Sequence, residues 1–108
     1  MKTKKILSYM KSVLIGKFVI VRTYSAGVHA GVLLAKKGKE VRLADAYRIW
    51  SWTQAETNTG SLSAVSQYGV GPGSKIGNVV PLLELTEAIE VIECSKRAKT
   101  SICSGTWN

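Results

Sequence analysis

Three side chains near the middle of the chain could together bind a nucleotide. Arg48, Trp50 and Trp52 occupy alternate positions of one extended-type run. Because strand side chains alternate between two faces, a strand here would present all three on one face. Indole rings stack on bases with about 1–3 kcal/mol each, and a guanidinium pairs bidentately with phosphate. The alternative is that the tryptophans are core or subunit-interface anchors, with Arg48 at the rim.

A second group of polar side chains follows the preceding strand-like run. Arg22 would end that strand, and Tyr24 and Ser25 follow in a turn that contains Gly27. Backbone N–H groups and a hydroxyl in such a turn can bind an anion, and His29 could hydrogen-bond to a ribose or a phosphate. The alternative is that Ser25 and Gly27 serve turn geometry alone and that His29 is an ordinary strand residue.

The glycine-rich segment 69–78 invites comparison with a phosphate-binding loop. It fails the spacing of that motif, because no glycine stands five positions before Gly73 and Lys75 does not directly follow a glycine. Lys75 could still contact an anion from a mobile lid. A plain connecting loop is the alternative.

No catalytic constellation is visible in the sequence. Glu90 and Glu93 would point to opposite faces of a strand, so they do not form a carboxylate pair. Ser25 near His29 lacks a placed third partner, and no Cys/His/Asp spacing is typical of a metal site. We expect a binding protein rather than an enzyme, with no metal and no cofactor.

Composition indicates an anionic partner. The 108 residues include 15 basic and 7 acidic ones, for a net charge of +8, which favours nucleic acid, nucleotides or acidic surfaces; a solvated surface is the alternative. The two cysteines, Cys94 and Cys103, do not make a disulfide framework. No run approaches the roughly 18 apolar residues of a membrane span, and the N-terminus is a poor signal peptide. We expect a cytoplasmic protein without membrane contact.

The periodicities predict a single mainly β (α+β) domain over residues 1–108. Residues 1–14 are predicted as an amphipathic helix, 16–52 as a three-strand meander, 53–78 as an insertion, and 79–108 as two strands and a tail. The meander would bulge or bend at 44–46, the insertion would hold a short helix at 62–68 capped by Ser61, and the tail would hold a helical turn. We expect a bent five-stranded antiparallel sheet or an SH3/Sm-like partly open barrel. An edge strand could pair with a second subunit, so a homo-oligomer is expected.

Three sequence blocks resemble a family of small phage-encoded proteins that is known as a domain of unknown function. The blocks are RTYSAGVHAG (22–31), YRIWSW (47–52) and LTEAIEVIEC (85–94). The resemblance covers most of the chain and implies a small protein made in the host cytoplasm during phage infection. Phages encode compact oligomeric sponges that sequester cyclic nucleotide or cyclic ADP-ribose signals of bacterial immunity, such as the Thoeris and CBASS signals. This chain is similar to that class in size, basicity and lack of catalytic groups, and the resemblance transfers no site residues.

Three functional hypotheses follow from these observations. The first is an anti-defence protein that sequesters a small anionic nucleotide signal without hydrolysing it. The second is an Sm- or SH3-like module that binds RNA or DNA, and the third is an inhibitor that binds a host enzyme through its aromatic face. The candidate ligand-binding residues are Arg22, Tyr24, Ser25, His29, Arg48, Trp50, Trp52 and Lys75.

Overall fold

The computed structural model describes residues 12–53 and 61–105. Its strands are β1 (Phe18–Thr23), β2 (Val28–Lys37), β3 (Glu40–Ser51), β4 (Lys75–Ile76), β5 (Val80–Leu85) and β6 (Ala88–Glu93). Its helices are α1 (Leu62–Tyr68) and α2 (Lys96–Ser104). The helix predicted over residues 1–14 lies outside the described residues, except for 12–14, of which 13 and 14 belong to a turn.

The strands form one antiparallel sheet that is open rather than closed. The order is β4–β3–β2–β1–β6, and β5 also pairs with β3. The predicted mainly β fold is therefore confirmed, with six strands where five were expected. The additional strand, β4, lies in the segment predicted as a loop. Two residues are too few to show the alternating pattern from which strands are predicted.

The sheet buries apolar side chains on both faces. β1 is buried on both sides, since Phe18, Val19, Ile20 and Val21 are all inaccessible or nearly so, as expected for a short continuous apolar run. One face carries the inner cluster, which contains Val19, Val21, Leu33, Val41, Leu43, Ala46, Leu85 and Ala88. The other carries the helix-side cluster, which contains Phe18, Ile20, Ala30, Ile49, Val65, Ile76 and Ile102. Val65 and Ile102 come from α1 and α2, so the two helices cover this second face.

A β-bulge near the middle of β3 sets which side chains face the inner cluster. Ala30 lies opposite Tyr47 while Val32 lies opposite Ala44, so β3 has one residue more than β2 over this stretch. Asp45 takes up the additional residue with a left-handed φ of 50°, which confirms the bulge predicted at 44–46. Because strand side chains alternate, the additional residue exchanges inner and outer positions in the second half of β3.

Both helices begin at a serine cap. The Ser61 hydroxyl accepts a hydrogen bond from the Ala64 N–H at 3.2 Å, and the Ser95 hydroxyl accepts one from the Ala98 N–H at 3.0 Å. The helix predicted at 62–68 with its Ser61 cap is thus confirmed, and the predicted terminal turn is a nine-residue helix. Within residues 12–53 and 61–105, no helix has both the length and the apolar character to cross a membrane.

The bulge makes one glycine of β2 intolerant of a side chain. A Cβ atom at Gly31 would lie 2.9 Å from the Ala44 carbonyl oxygen and 3.1 Å from the Ala46 Cα. We expect Gly31→Ala to lower the free energy of unfolding by about 1–3 kcal/mol, because neither backbone atom can easily move away. Urea denaturation followed by circular dichroism measures this change.

Lys37→Ala, at an exposed position of the same strand, is the matched control. It should change stability by no more than about 0.5 kcal/mol. Equal stability of the two variants would show that the β2–β3 contact at the bulge is looser than described.

Candidate functional site

The second half of β3 places an arginine beside an exposed indole. His29 lies opposite Arg48 in the β2–β3 ladder and opposite Val21 in the β1–β2 ladder, so Arg48 extends from the face that carries the inner cluster. Its Cζ atom lies 5.0 Å from the centre of the Trp50 ring, within cation–π distance. Trp50 is 59% exposed. We call this pair the Arg48–Trp50 face.

Arg48 is held in place by a backbone carbonyl. Its Nη1 group donates to the Ala26 carbonyl oxygen at 3.3 Å. The Gly77 N–H donates to the Arg48 carbonyl oxygen at 2.8 Å. This hydrogen bond links the Arg48 backbone to the residue that follows β4. The guanidinium is therefore positioned before any ligand arrives.

The other strand arginines differ from Arg48 in being neutralised. Arg22 Nε donates to Glu90 Oε1 at 3.0 Å, and Arg42 Nε donates to Glu84 Oε2 at 2.8 Å. Among residues 12–53 and 61–105, no carboxylate forms an ion pair with Arg48. Arg48 consequently presents an uncompensated positive charge beside an aromatic ring.

His29 lies next to Arg48 and is 1% exposed. Its Nε2 lies 2.8 Å from the Ala26 carbonyl oxygen. A carbonyl oxygen only accepts hydrogen bonds, so Nε2 carries the proton and Nδ1 is an acceptor. Burial, opposed in part by this hydrogen bond and supported by the charge of Arg48, lowers the pKa of His29. His29 is thus neutral, and its N–H is already bound to Ala26. Within the part of the chain that the structure describes, its buried Nδ1 has no hydrogen-bond partner.

The β1–β2 turn uses its polar groups internally. The Thr23 hydroxyl donates to the Gly27 carbonyl oxygen at 2.7 Å and accepts from the Ala26 N–H at 2.8 Å. The Ser25 hydroxyl donates to the Glu87 carboxylate. The Ser25 hydroxyl therefore already binds a carboxylate of the protein itself. The Tyr24 side chain, in the same turn, is 79% exposed.

Arg22 and Trp52 lie on the other face of the sheet from Arg48. Arg22 is opposite Val28 in the ladder that pairs Val21 with His29, and successive residues point to opposite faces. Trp52 packs against the helix-side cluster. With Arg22 it lines a cleft of about 400 Å³, whose other lining residues are Val28, Ser61, Leu62, Ser63 and Glu90.

The prediction that Trp52 shares a face with Arg48 and Trp50 is therefore wrong. β3 ends at Ser51, so the alternation that relates positions 48 and 50 does not extend to position 52. The predicted single site divides into two. Arg48, Trp50 and His29 lie on one face, and Arg22 and Trp52 lie on the other.

Lys75 belongs to a strand and not to the mobile lid that the sequence suggested. It lies opposite Ser51 as the first residue of β4. The preceding loop is tied to the end of β3, because the Thr53 hydroxyl donates to the Pro72 carbonyl oxygen at 2.7 Å and the Thr53 N–H donates to Ser74 Oγ at 3.0 Å. Lys75 is exposed at the margin of the sheet.

The two cysteines contribute to packing against the helix-side cluster. Both are free thiols and are half-buried. Burial, with the charges of Cys103 and Glu93, raises the pKa of the Cys94 thiol to about 12, so that thiol stays protonated. Burial and contact with Cys103 raise the pKa of Tyr47. Across the described ranges, no group of three His, Cys, Asp or Glu side chains could hold a metal ion.

Two features of the site carry no sequence signature. The Ala26 carbonyl oxygen orients both Arg48 and His29, but every residue has a carbonyl group and only the backbone path brings this one into place. The Glu87 carboxylate accepts a hydrogen bond from the Ser25 hydroxyl, although the two residues are 62 positions apart in the sequence. This pairing could therefore be identified only from the fold.

Residues 16–102 match the family described as a domain of unknown function (DUF6948). The chain belongs to this family. The match spans β1 through most of α2, so every candidate residue from Arg22 to Lys75 lies within the DUF6948 domain. No curated protein matches the chain.

The buried neutral His29 predicts a specific dependence of stability on pH. Because burial lowers its pKa, the unfolded chain binds a proton at a pH at which the folded chain does not. The free energy of unfolding should therefore fall as the pH is lowered from about 7 to about 5. Urea denaturation of the protein and of His29→Gln at several pH values measures the effect.

Gln places an amide N–H near the position of Nε2 but does not titrate, so the variant should vary less with pH over this interval. Parallel pH profiles for the protein and His29→Gln would mean that other groups cause the dependence.

Proposed function

We propose that this DUF6948 domain binds an anionic nucleotide at the Arg48–Trp50 face and releases it unchanged. The observation that carries the proposal is the state of Arg48. It lies over an exposed indole at 5.0 Å and is oriented by the Ala26 carbonyl oxygen. Among the described residues, it lacks the carboxylate partner that Arg22 and Arg42 have. A phosphate would supply the missing charge, and a base would stack on the exposed side of Trp50.

Binding without conversion fits the chemistry around the face. His29, opposite Arg48 in the β2–β3 ladder, is a group of the kind that acts as a general acid or base, but burial lowers its pKa and its N–H is bound to Ala26. A buried neutral imidazole with one free acceptor atom is poorly placed to donate a proton to a leaving group. These properties support a binding protein over a hydrolase.

The resemblance to phage-encoded proteins supports a narrower form of the proposal. In this form the ligand is a cyclic nucleotide or cyclic ADP-ribose immune signal, sequestered in the cytoplasm of an infected bacterium. Sequestration requires enclosure, and the Arg48–Trp50 face is open on one chain, since Trp50 is 59% exposed. A second copy of the chain covering this face would enclose the ligand. The homo-oligomer is thus part of the proposal.

The decisive experiment is recovery of intact ligand. The purified protein is incubated with a panel of cyclic nucleotides and cyclic ADP-ribose isomers, free ligand is removed, and the protein is heat-denatured. Mass spectrometry of the released material should show the unmodified ligand. A converted product would make the protein an enzyme. If no ligand is retained and none raises the melting temperature at saturation, the proposal fails.

Two substitutions locate the binding site. Trp50→Ala should weaken nucleotide binding about 5- to 150-fold, which corresponds to the stacking free energy of one base. Arg48→Ala should weaken it and also reduce its dependence on salt concentration. Isothermal titration calorimetry measures both, with circular dichroism to verify that each variant folds.

Arg22→Ala is the matched control, because it removes the same charge from the opposite face. The nucleotide affinity of this variant should remain within about twofold of that of the unsubstituted protein, a change of at most about 0.4 kcal/mol in binding free energy. If Arg22→Ala abolished binding and Arg48→Ala did not, the site would be the cleft that contains Trp52.

A further inference from the structure

Two turns contact the link between β5 and β6, which lies far from them along the chain. The Ala88 N–H donates to the Lys39 carbonyl oxygen at 2.9 Å, and the Tyr24 N–H donates to the Glu87 carbonyl oxygen at 3.0 Å. The β1–β2 turn and the β2–β3 turn therefore both contact the link between β5 and β6. We call residues 86–88 the corner. Tyr24 and Lys39 flank the corner from its two sides.

This corner carries a second exposed aromatic side chain beside exposed cations. Tyr24 is 79% exposed, and Lys39 is exposed at the tip of the β2–β3 hairpin. Lys37 is exposed at the same tip, and the Lys36 ammonium donates to the Gly38 carbonyl oxygen at 2.8 Å. The Glu87 carboxylate, which belongs to the corner, accepts a hydrogen bond from the Ser25 hydroxyl. The hairpin that contacts the corner through the Lys39 carbonyl oxygen thus carries Lys36, Lys37 and Lys39.

The corner is close to the Arg48–Trp50 face. Arg48 Nη1 binds the carbonyl oxygen of Ala26, and Ala26 is two residues after Tyr24, which even in a fully extended chain is at most about 7 Å. The two aromatic side chains are therefore separated by a single arginine contact and a short stretch of turn. A linked pair of nucleotides is a ligand on this scale, whereas a single nucleotide would occupy one aromatic side chain and leave the other exposed.

We propose that the ligand of this protein carries at least two nucleotide units joined by a phosphodiester. One base stacks on Trp50 with its phosphate on Arg48, and the second base stacks on Tyr24 with its phosphate at Lys39. The inference rests on the proposed function and narrows the class of ligand. Each half of the site repeats the same combination of a stacking ring and a cation, which is how proteins hold consecutive nucleotides.

Two sources could supply this chemistry. A cyclic dinucleotide has two bases and two phosphates in a closed ring, and a single-stranded nucleic acid has the same units in an open chain. The test uses AMP, cyclic di-adenylate, the linear dinucleotide pApA and an eight-residue oligoadenylate. Fluorescence titration of the tryptophans and fluorescence anisotropy of labelled ligands report binding.

The unsubstituted protein should bind a two-unit ligand more than about tenfold more tightly than AMP, because a second stacked base contributes at least that order of affinity. Tyr24→Ala should weaken the two-unit ligand about 5- to 150-fold and leave AMP within about twofold. Tyr24→Phe should retain the affinity, since the ring and not the hydroxyl stacks.

Lys39→Ala should weaken the two-unit ligand and lower the slope of log affinity against log salt by about 1. Lys96→Ala, on α2 at the helix-covered face, removes the same charge and is the matched control; it should leave both quantities unchanged. Circular dichroism of every variant establishes that the fold persists.

The outcomes separate this inference from the proposed function. Equal affinities for AMP and the two-unit ligands, with no effect of Tyr24→Ala or Lys39→Ala but a loss in Trp50→Ala, would overturn the inference and leave the Arg48–Trp50 site in place. The same ligands are also tested with guanine and uracil in place of adenine. If none of the mononucleotides, dinucleotides or oligonucleotides binds, both the inference and the proposed function are overturned. Preference for the cyclic dinucleotide would identify a signal molecule, and preference for the eight-residue strand would identify nucleic acid.

Discussion

The additional residue in β3 determines what each face of this protein presents. Before the bulge, Leu43 faces the inner cluster; after it, Ala46 does, and Arg48 follows on the same side. Because Asp45 takes up one residue in a left-handed conformation, the second half of the strand is rotated relative to the pattern of the first half. Ile49 is thereby directed to the helices, and the charged side chain of Arg48 is directed away from them. The separation of an apolar, helix-covered face from a charged aromatic face depends on that one backbone conformation.

Charge is distributed unevenly over the three strand arginines. Arg22 and Arg42 have glutamates opposite them in neighbouring strands, and such exposed ion pairs contribute little to stability. Their effect is to lower the local positive field. Within residues 12–53 and 61–105, the Arg48 guanidinium contacts a neutral carbonyl oxygen and an aromatic ring but no carboxylate, so those residues do not reduce the positive field there. The pattern of ion pairs therefore indicates where an anion would bind better than the net charge of +8 does.

Local sequence patterns predicted much of the fold and part of the site. Alternating apolar residues predicted the long strands, and Ser61 predicted the start of α1, because both signals are contained in a few neighbouring residues. Strand alternation also related Arg48 to Trp50, whose side chains do lie together. The same rule failed for Trp52, because nothing in YRIWSW shows that the strand ends one residue earlier. The separation of the two candidate faces depends on the ladder register, which arises from contacts between distant segments.

The corner has a consequence for how the protein folds. Its two hydrogen bonds join Lys39 to Ala88 and Tyr24 to Glu87, residues that are far apart in the chain, whereas the β1–β2–β3 meander is built from neighbouring strands. Contacts between distant residues require a large loss of chain entropy before they form, and they slow folding. We therefore expect the meander to form early and the corner to form late. In the folded protein the amides of Tyr24 and Ala88 should exchange with solvent sooner than those of β1, because the last contacts to form are commonly among the first to open.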